Sequence, residues 1–70
     1  MSAAGRMYDA FPGRWERSVW KSDGDAEWFA MAGFEGVSVI ASGVSDGDAA
    51  DRCIEKWNAA VNYGMKEEAR

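Results

Sequence analysis

The 70-residue chain contains no histidine. Histidine-based metal sites and Ser-His or Cys-His nucleophile pairs are therefore absent. It contains one cysteine, Cys53. One thiol allows no internal disulfide and builds neither a zinc finger nor an iron–sulfur site. No glycine pattern matches a phosphate-binding loop. No apolar run is long enough to span a bilayer, and Met1-Ser2-Ala3-Ala4-Gly5-Arg6 lacks the apolar stretch of a secretory signal. These absences imply a soluble, cytoplasmic protein. An enzyme would have to work with carboxylates, Lys, Tyr or Ser in a body too small for a deep pocket. The chain reads as a non-enzyme with no cofactor and no bound metal.

Positive charge is missing from one long stretch. Residues 23–51 carry Asp23, Asp25, Glu27, Glu35, Asp46, Asp48 and Asp51 and no Lys or Arg, within a net charge of -4 for the whole chain. Such a middle does not suit direct phosphate binding. It suits a basic protein partner, or simply solubility. Seventy residues make one domain, which buries only roughly 60% of the surface its unfolded chain exposes. The aromatics, four of them Trp, offset that thin margin.

Residues 1–12 have no clear period and read as an irregular lead-in, followed by a domain over 13–64 and a frayed tail over 65–70. Phe11-Pro12-Gly13 is a turn signal. Residues 14–21, 26–32 and 37–42 are short runs of strand formers. Asp23-Gly24 predicts a two-residue type I′ hairpin turn, because Gly accepts positive φ without steric cost. Gly33 to Gly36 is a second turn. Ser45 or Asp46 then caps a helix, with Asp48 three residues after Ser45 as in a capping box. Ala49, Ala50, Cys53, Ile54, Trp57, Ala60 and Val61 form one apolar helical face, and Gly64 is a natural stop. The expected fold is α+β: a three-stranded antiparallel meander packed on one C-terminal helix, βββα.

Strand parity assigns the two faces of the sheet. With Asp23-Gly24 as the turn, Lys21 pairs with Ala26, Val19 with Trp28, Arg17 with Ala30 and Trp15 with Ala32. Paired residues share a face. Trp15, Val19, Trp28, Ala30, Ala32, Val37, Val39 and Ala41 then lie beneath the helix, with Arg17 a misfit that snorkels at the rim. The other face carries Trp20, Phe29, Met31 and Ile40. A patch of that kind marks a partner or homodimer interface, unless Met7, Tyr8 and Phe11 of the lead-in fold over it.

Ser-Asp-Gly-Asp-Ala occurs twice, at 22–26 and 45–49. It is either a pair of acidic loops for a basic partner or a turn and a helix cap that need these residues locally. Asp46, Asp48 and Asp51 do not make a calcium loop, since the chain enters a helix after two Asp residues. Cys53 and Trp57 read as core.

The order of strands, followed by Gly43-Val44-Ser45-Asp46-Gly47-Asp48-Ala49, resembles the partial RNase H-like domain of HicB-type antitoxins over about residues 14–62. Those join a small sheet to a helix through a Gly-x-Ser/Thr-x-x-Asp/Glu-Ala junction. The chain departs from them in having no DNA-binding segment after the helix and no Pro-rich loop before the third strand. In style, as a short acidic chain with exposed aromatics, it is similar to phage-encoded anti-CRISPR proteins, which would place it in the host-cell cytoplasm. The sequence thus implies a protein-binding inhibitor. Asp23, Asp25, Glu27, Asp46, Asp48 and Asp51 would meet a basic, nucleic-acid-binding surface. Trp20, Phe29, Met31 and Ile40 would anchor a partner or a second copy. The alternatives are an antitoxin domain that neutralises a small toxin, and a homo-oligomeric structural or assembly protein.

Overall fold

The computed structural model describes residues 2–24 and 26–68, with side chains as far as Asn62. The element order is α1 (Ala3–Ala10), β1 (Glu16–Lys21), β2 (Trp28–Phe34), β3 (Val37–Gly43) and α2 (Asp46–Glu68). The strands form one antiparallel sheet in the order β1-β2-β3. The fold is α+β, a βββα unit preceded by a short helix.

That first helix replaces the expected irregular lead-in. Ser2 caps it, its hydroxyl accepting from the Gly5 amide at 3.1 Å. Ala3, Met7, Ala10 and Phe11 recur at helical spacing and face the core. Phe11 closes the helix by donating its amide to the Met7 carbonyl at 2.9 Å, and Pro12 prevents continuation. Eight residues are too few for a stable isolated helix, so packing holds this one.

The first hairpin differs in register from the sequence expectation. Lys21 pairs with Trp28, Val19 with Ala30 and Arg17 with Ala32. Asp23-Gly24 does not form a two-residue loop. Ser22 instead donates its amide and its hydroxyl to the Glu27 carbonyl, at 2.9 and 3.1 Å, and closes a wider loop. A type I′ turn needs positive φ at both central residues, and Gly24 has it while Asp23 does not. The second hairpin meets that requirement, with Glu35 at φ 48 and Gly36 at φ 82 between the paired Phe34 and Val37. The first register slips by two residues, and a side-chain period of two leaves every residue on its expected face.

The core lies between the sheet and both helices. Ala30, Ala32 and Val39 of the sheet meet Ala49, Ala50 and Cys53 of α2, with Met7 and Phe11 filling the side beneath α1. Trp15, Val19, Trp28, Ala41, Ile54 and Trp57 pack around this centre. Alanines on the sheet let α2 approach closely. Phe11, Trp15 and Trp57 form an aromatic cluster with centroids 5.0–6.1 Å apart, and Trp15 stacks on Phe34 at 5.6 Å. Val37, at the end of the sheet, is half exposed.

Arg17 lies on the helix side of β1, as its parity requires. Its Nη1 donates to the Phe11 and Gly13 carbonyls, and its guanidinium lies 3.9 Å from the centre of the Tyr8 ring. It ties the α1–β1 connection to the sheet. A second tie is the ion pair of Arg6 with Asp51 at 3.0 Å.

Helix α2 continues through Gly64 to Glu68, so Gly64 is not the stop and the expected 65–70 tail is helical to Glu68. The last two residues of that tail, 69–70, lie outside the described residues. Ala60 is exposed and not part of the buried face, because the 23-residue helix, about 34 Å long, outruns strands of about 23 Å. No described helix is long and apolar enough to cross a membrane.

Candidate functional site

Two surfaces stand out. The first is the sheet face away from the helices. Met7 and Phe11 are buried on the helix side, so the lead-in does not cover this face. Trp20 is 40% exposed and Ile40 48%, while Phe29 and Met31 are half-buried by their neighbours. Trp20 stacks on Phe29 across the strands, with centroids 5.5 Å apart and planes 19° apart. Met31 pairs with Ile40 on the next strand. The four side chains therefore make one continuous apolar band across all three strands. Beside it an open recess of about 550 Å³ lies over Gly33, between Arg14, Glu16, Met31 and Ser38.

The second surface is the end of the sheet where the two Ser-Asp-Gly-Asp-Ala segments fall. Trp28 pairs with Gly43, so the β1–β2 loop and the β3–α2 junction are neighbours. A recess of about 370 Å³ is lined by Glu27 from the first segment's edge and by Asp48 and Arg52 from α2.

The carboxylates at this end divide by what they already hold. Ser45 caps α2, accepting from the Asp48 amide at 3.1 Å. Asp48 accepts from the Val44 amide at 3.1 Å and pairs with Arg52 at 3.3 Å. That is a capping box displaced by one residue, since the carboxylate reaches Val44 and not the cap residue itself. Asp51 is held by Arg6. Asp46 accepts from the Gly47 amide at 2.7 Å. Asp23, Glu27 and Asp46 make no ion pair among the described residues. Asp25 lies outside them. Ser45 and Asp48 serve the fold as caps, while Asp23, Asp46 and the adjoining Glu27 are exposed to solvent.

Cys53 is fully buried, and its thiol points at the Val39 carbonyl at 3.7 Å. Burial raises its pKa above the ordinary 9.0, against smaller lowering effects from Lys56 and a backbone hydrogen bond at Ala32. A buried neutral thiol is a core group, not a nucleophile. Among the described residues no three His, Cys, Asp or Glu side chains are placed to hold a metal ion.

Sequence reasoning missed α1 and its two ties, Arg6 to Asp51 and Arg17 to Tyr8. The signal was present in Ser2 as a cap and in the spacing of Ala3, Met7, Ala10 and Phe11. No family model matches the chain, and no curated protein and no solved structure matches it either.

Proposed function

We propose that the chain is a protein-binding module that acts as an inhibitor, blocking a basic, nucleic-acid-binding surface of a partner protein in the host-cell cytoplasm, as anti-CRISPR proteins do. The observation that carries this reading is the meeting of the two Ser-Asp-Gly-Asp-Ala segments at one end of the sheet. Asp23, Glu27 and Asp46 display charge there, while the neighbouring Asp48 and Asp51 are paired with Arg52 and Arg6. Acidic groups gathered at one end steer a basic partner and raise its association rate. The same charges repel phosphate, so the partner is a protein and not nucleic acid.

The test reverses only the charges that hold no internal ion pair. Asp23→Lys with Asp46→Lys leaves the ties of Asp48 and Asp51 in place. Wild type should capture a basic protein from host lysate, lose it as salt rises, and be displaced from it by a nucleic acid that shares the site. The double variant should capture at least about tenfold less. Equal capture by both proteins overturns the reading. An antitoxin role is the alternative, supported by the capped strand-to-helix junction from Gly43 to Ala49. It predicts one small cognate toxin as the captured protein.

A further inference from the structure

The open sheet face is a grid of three rows. Glu16, Gly33 and Ser38 form one row, Ser18, Met31 and Ile40 the next, and Trp20, Phe29 and Ser42 the third. Phe29 and Met31 occupy the central strand. On the edge strands every bulky residue shares its row with a serine: Trp20 with Ser42, and Ile40 with Ser18.

We infer that this face joins two copies of the chain about a twofold axis running along β2. Rotation about that axis exchanges β1 and β3 within each row. It lays Trp20 of one copy on Ser42 of the other, and Ile40 on Ser18, each contact occurring twice. Phe29 and Met31 meet their own counterparts beside the axis. Large side chains oppose small ones on both edges, the condition for two layers to interdigitate without voids. The axis keeps the strands of the two sheets aligned, as face-to-face sheets pack. An isologous contact of this kind closes at two copies.

Charge and area set the strength of the contact. Glu16 of one copy faces Ser38 of the other, not its own counterpart, because the edge strands exchange. Glu27 and Glu35, just beyond the two ends of β2, are the exceptions, since each lies close to the axis in both copies. Two chains of net charge -4 also repel each other as wholes. The grid spans roughly 14 Å across the strands and 17 Å along them, and with side-chain relief buries on the order of 1,000 Å² in total. That is the floor for a specific interface, so the dimer is reversible, with a dissociation constant in the micromolar range or weaker. Apart from Glu27, which borders both, the surface is separate from the paired acidic loops, and the inference stands whether or not those loops bind a basic protein.

The experiment is sedimentation equilibrium of the full chain over a micromolar-to-millimolar series, with circular dichroism to confirm folding of each variant. Wild type should pass from monomer to dimer and no further. Trp20→Ser and Ser42→Trp should each raise the dissociation constant at least about 30-fold, the first by removing the bulky group and the second by setting Trp on Trp. Trp20→Ser combined with Ser42→Trp restores large against small and should recover at least part of the loss. Added salt should tighten the dimer by screening repulsion, whereas it weakens binding of a basic partner to the acidic end. A wild type that stays monomeric through the series overturns the inference, as does a dimer indifferent to both single variants. Asp23→Lys with Asp46→Lys should leave the dimer intact, so loss of partner capture and loss of dimerisation are read separately.

Discussion

Adding one methyl group at Gly43 should destabilise the domain far more than adding one at Gly33. Gly43 ends β3, where the chain turns directly into α2. A Cβ there would lie 2.5 Å from the Asp48 Oδ2 atom, 2.7 Å from the Ala49 amide nitrogen and 2.9 Å from the Asp48 carbonyl carbon. The carboxylate could swing aside only by giving up the Val44 amide and Arg52. The Ala49 nitrogen cannot swing at all, because its amide is bonded to the Ser45 carbonyl at 3.0 Å. The first turn of α2 must therefore retreat by several tenths of an ångström from a close-packed sheet. Overpacking of that kind costs about 1–3 kcal/mol. A 70-residue domain has a total stability of only about 4–10 kcal/mol. The melting temperature should fall by roughly 5–20 °C. At Gly33 the added Cβ meets only the Val37 carbonyl at 3.6 Å and the Ser38 Cβ at 3.8 Å, which is ordinary contact. Gly33→Ala should change stability by no more than about 1 kcal/mol, with a gain favoured by the stiffer unfolded chain. Urea and thermal unfolding of the two variants beside wild type decide the matter. If Gly43→Ala melts with wild type, or if both variants move equally, the close approach of β3 and α2 is wrong.

Phe11→Ala should cost about 3–5 kcal/mol, because the ring is fully buried between Trp15 and Trp57. A loss under about 1 kcal/mol in chemical denaturation would mean that α1 is not part of the core. Cys53 supplies a pH test. Its folded pKa is raised above the unfolded 9.0, so the stability it supports is complete below pH 9.0. As pH rises from 9.0 through the folded value, the unfolded chain sheds its thiol proton first and stability falls. Cys53→Ala should lack that part of the alkaline loss, and parallel stability–pH curves for the two proteins would contradict it.

Much of the fold was legible in residue order. Runs of strand formers at 14–21, 26–32 and 37–42 named three strands within about two residues of their observed ends, and parity sorted their faces, even though Asp23-Gly24 points to the wrong register for the first hairpin. The error is harmless to the faces because it amounts to two residues. The wide loop depends on Ser22 bonding Glu27, a contact that turn statistics for Asp-Gly do not contain. The helix start was legible because capping is local chemistry between Ser45 and Asp48. Its extent was not, since Gly64 lies where α2 has already outrun the sheet. Of the candidate site residues, parity identified the apolar band of Trp20, Phe29, Met31 and Ile40. It could not show that Asp48 and Asp51 are engaged by arginines from α2 and α1 while Asp23, Glu27 and Asp46 are not.

Local pattern alone settled which side chains face together, where the second helix begins and which chemistries are ruled out by missing residue types. These depend on backbone periods of two and 3.6 residues and on caps a few residues long. Packing between distant segments decided that residues 3–10 are helical, that they cover the α2 side and leave the open face bare, and that the two acidic segments adjoin. A helix of eight residues gains its stability only from what it buries, and that is supplied by segments far along the chain.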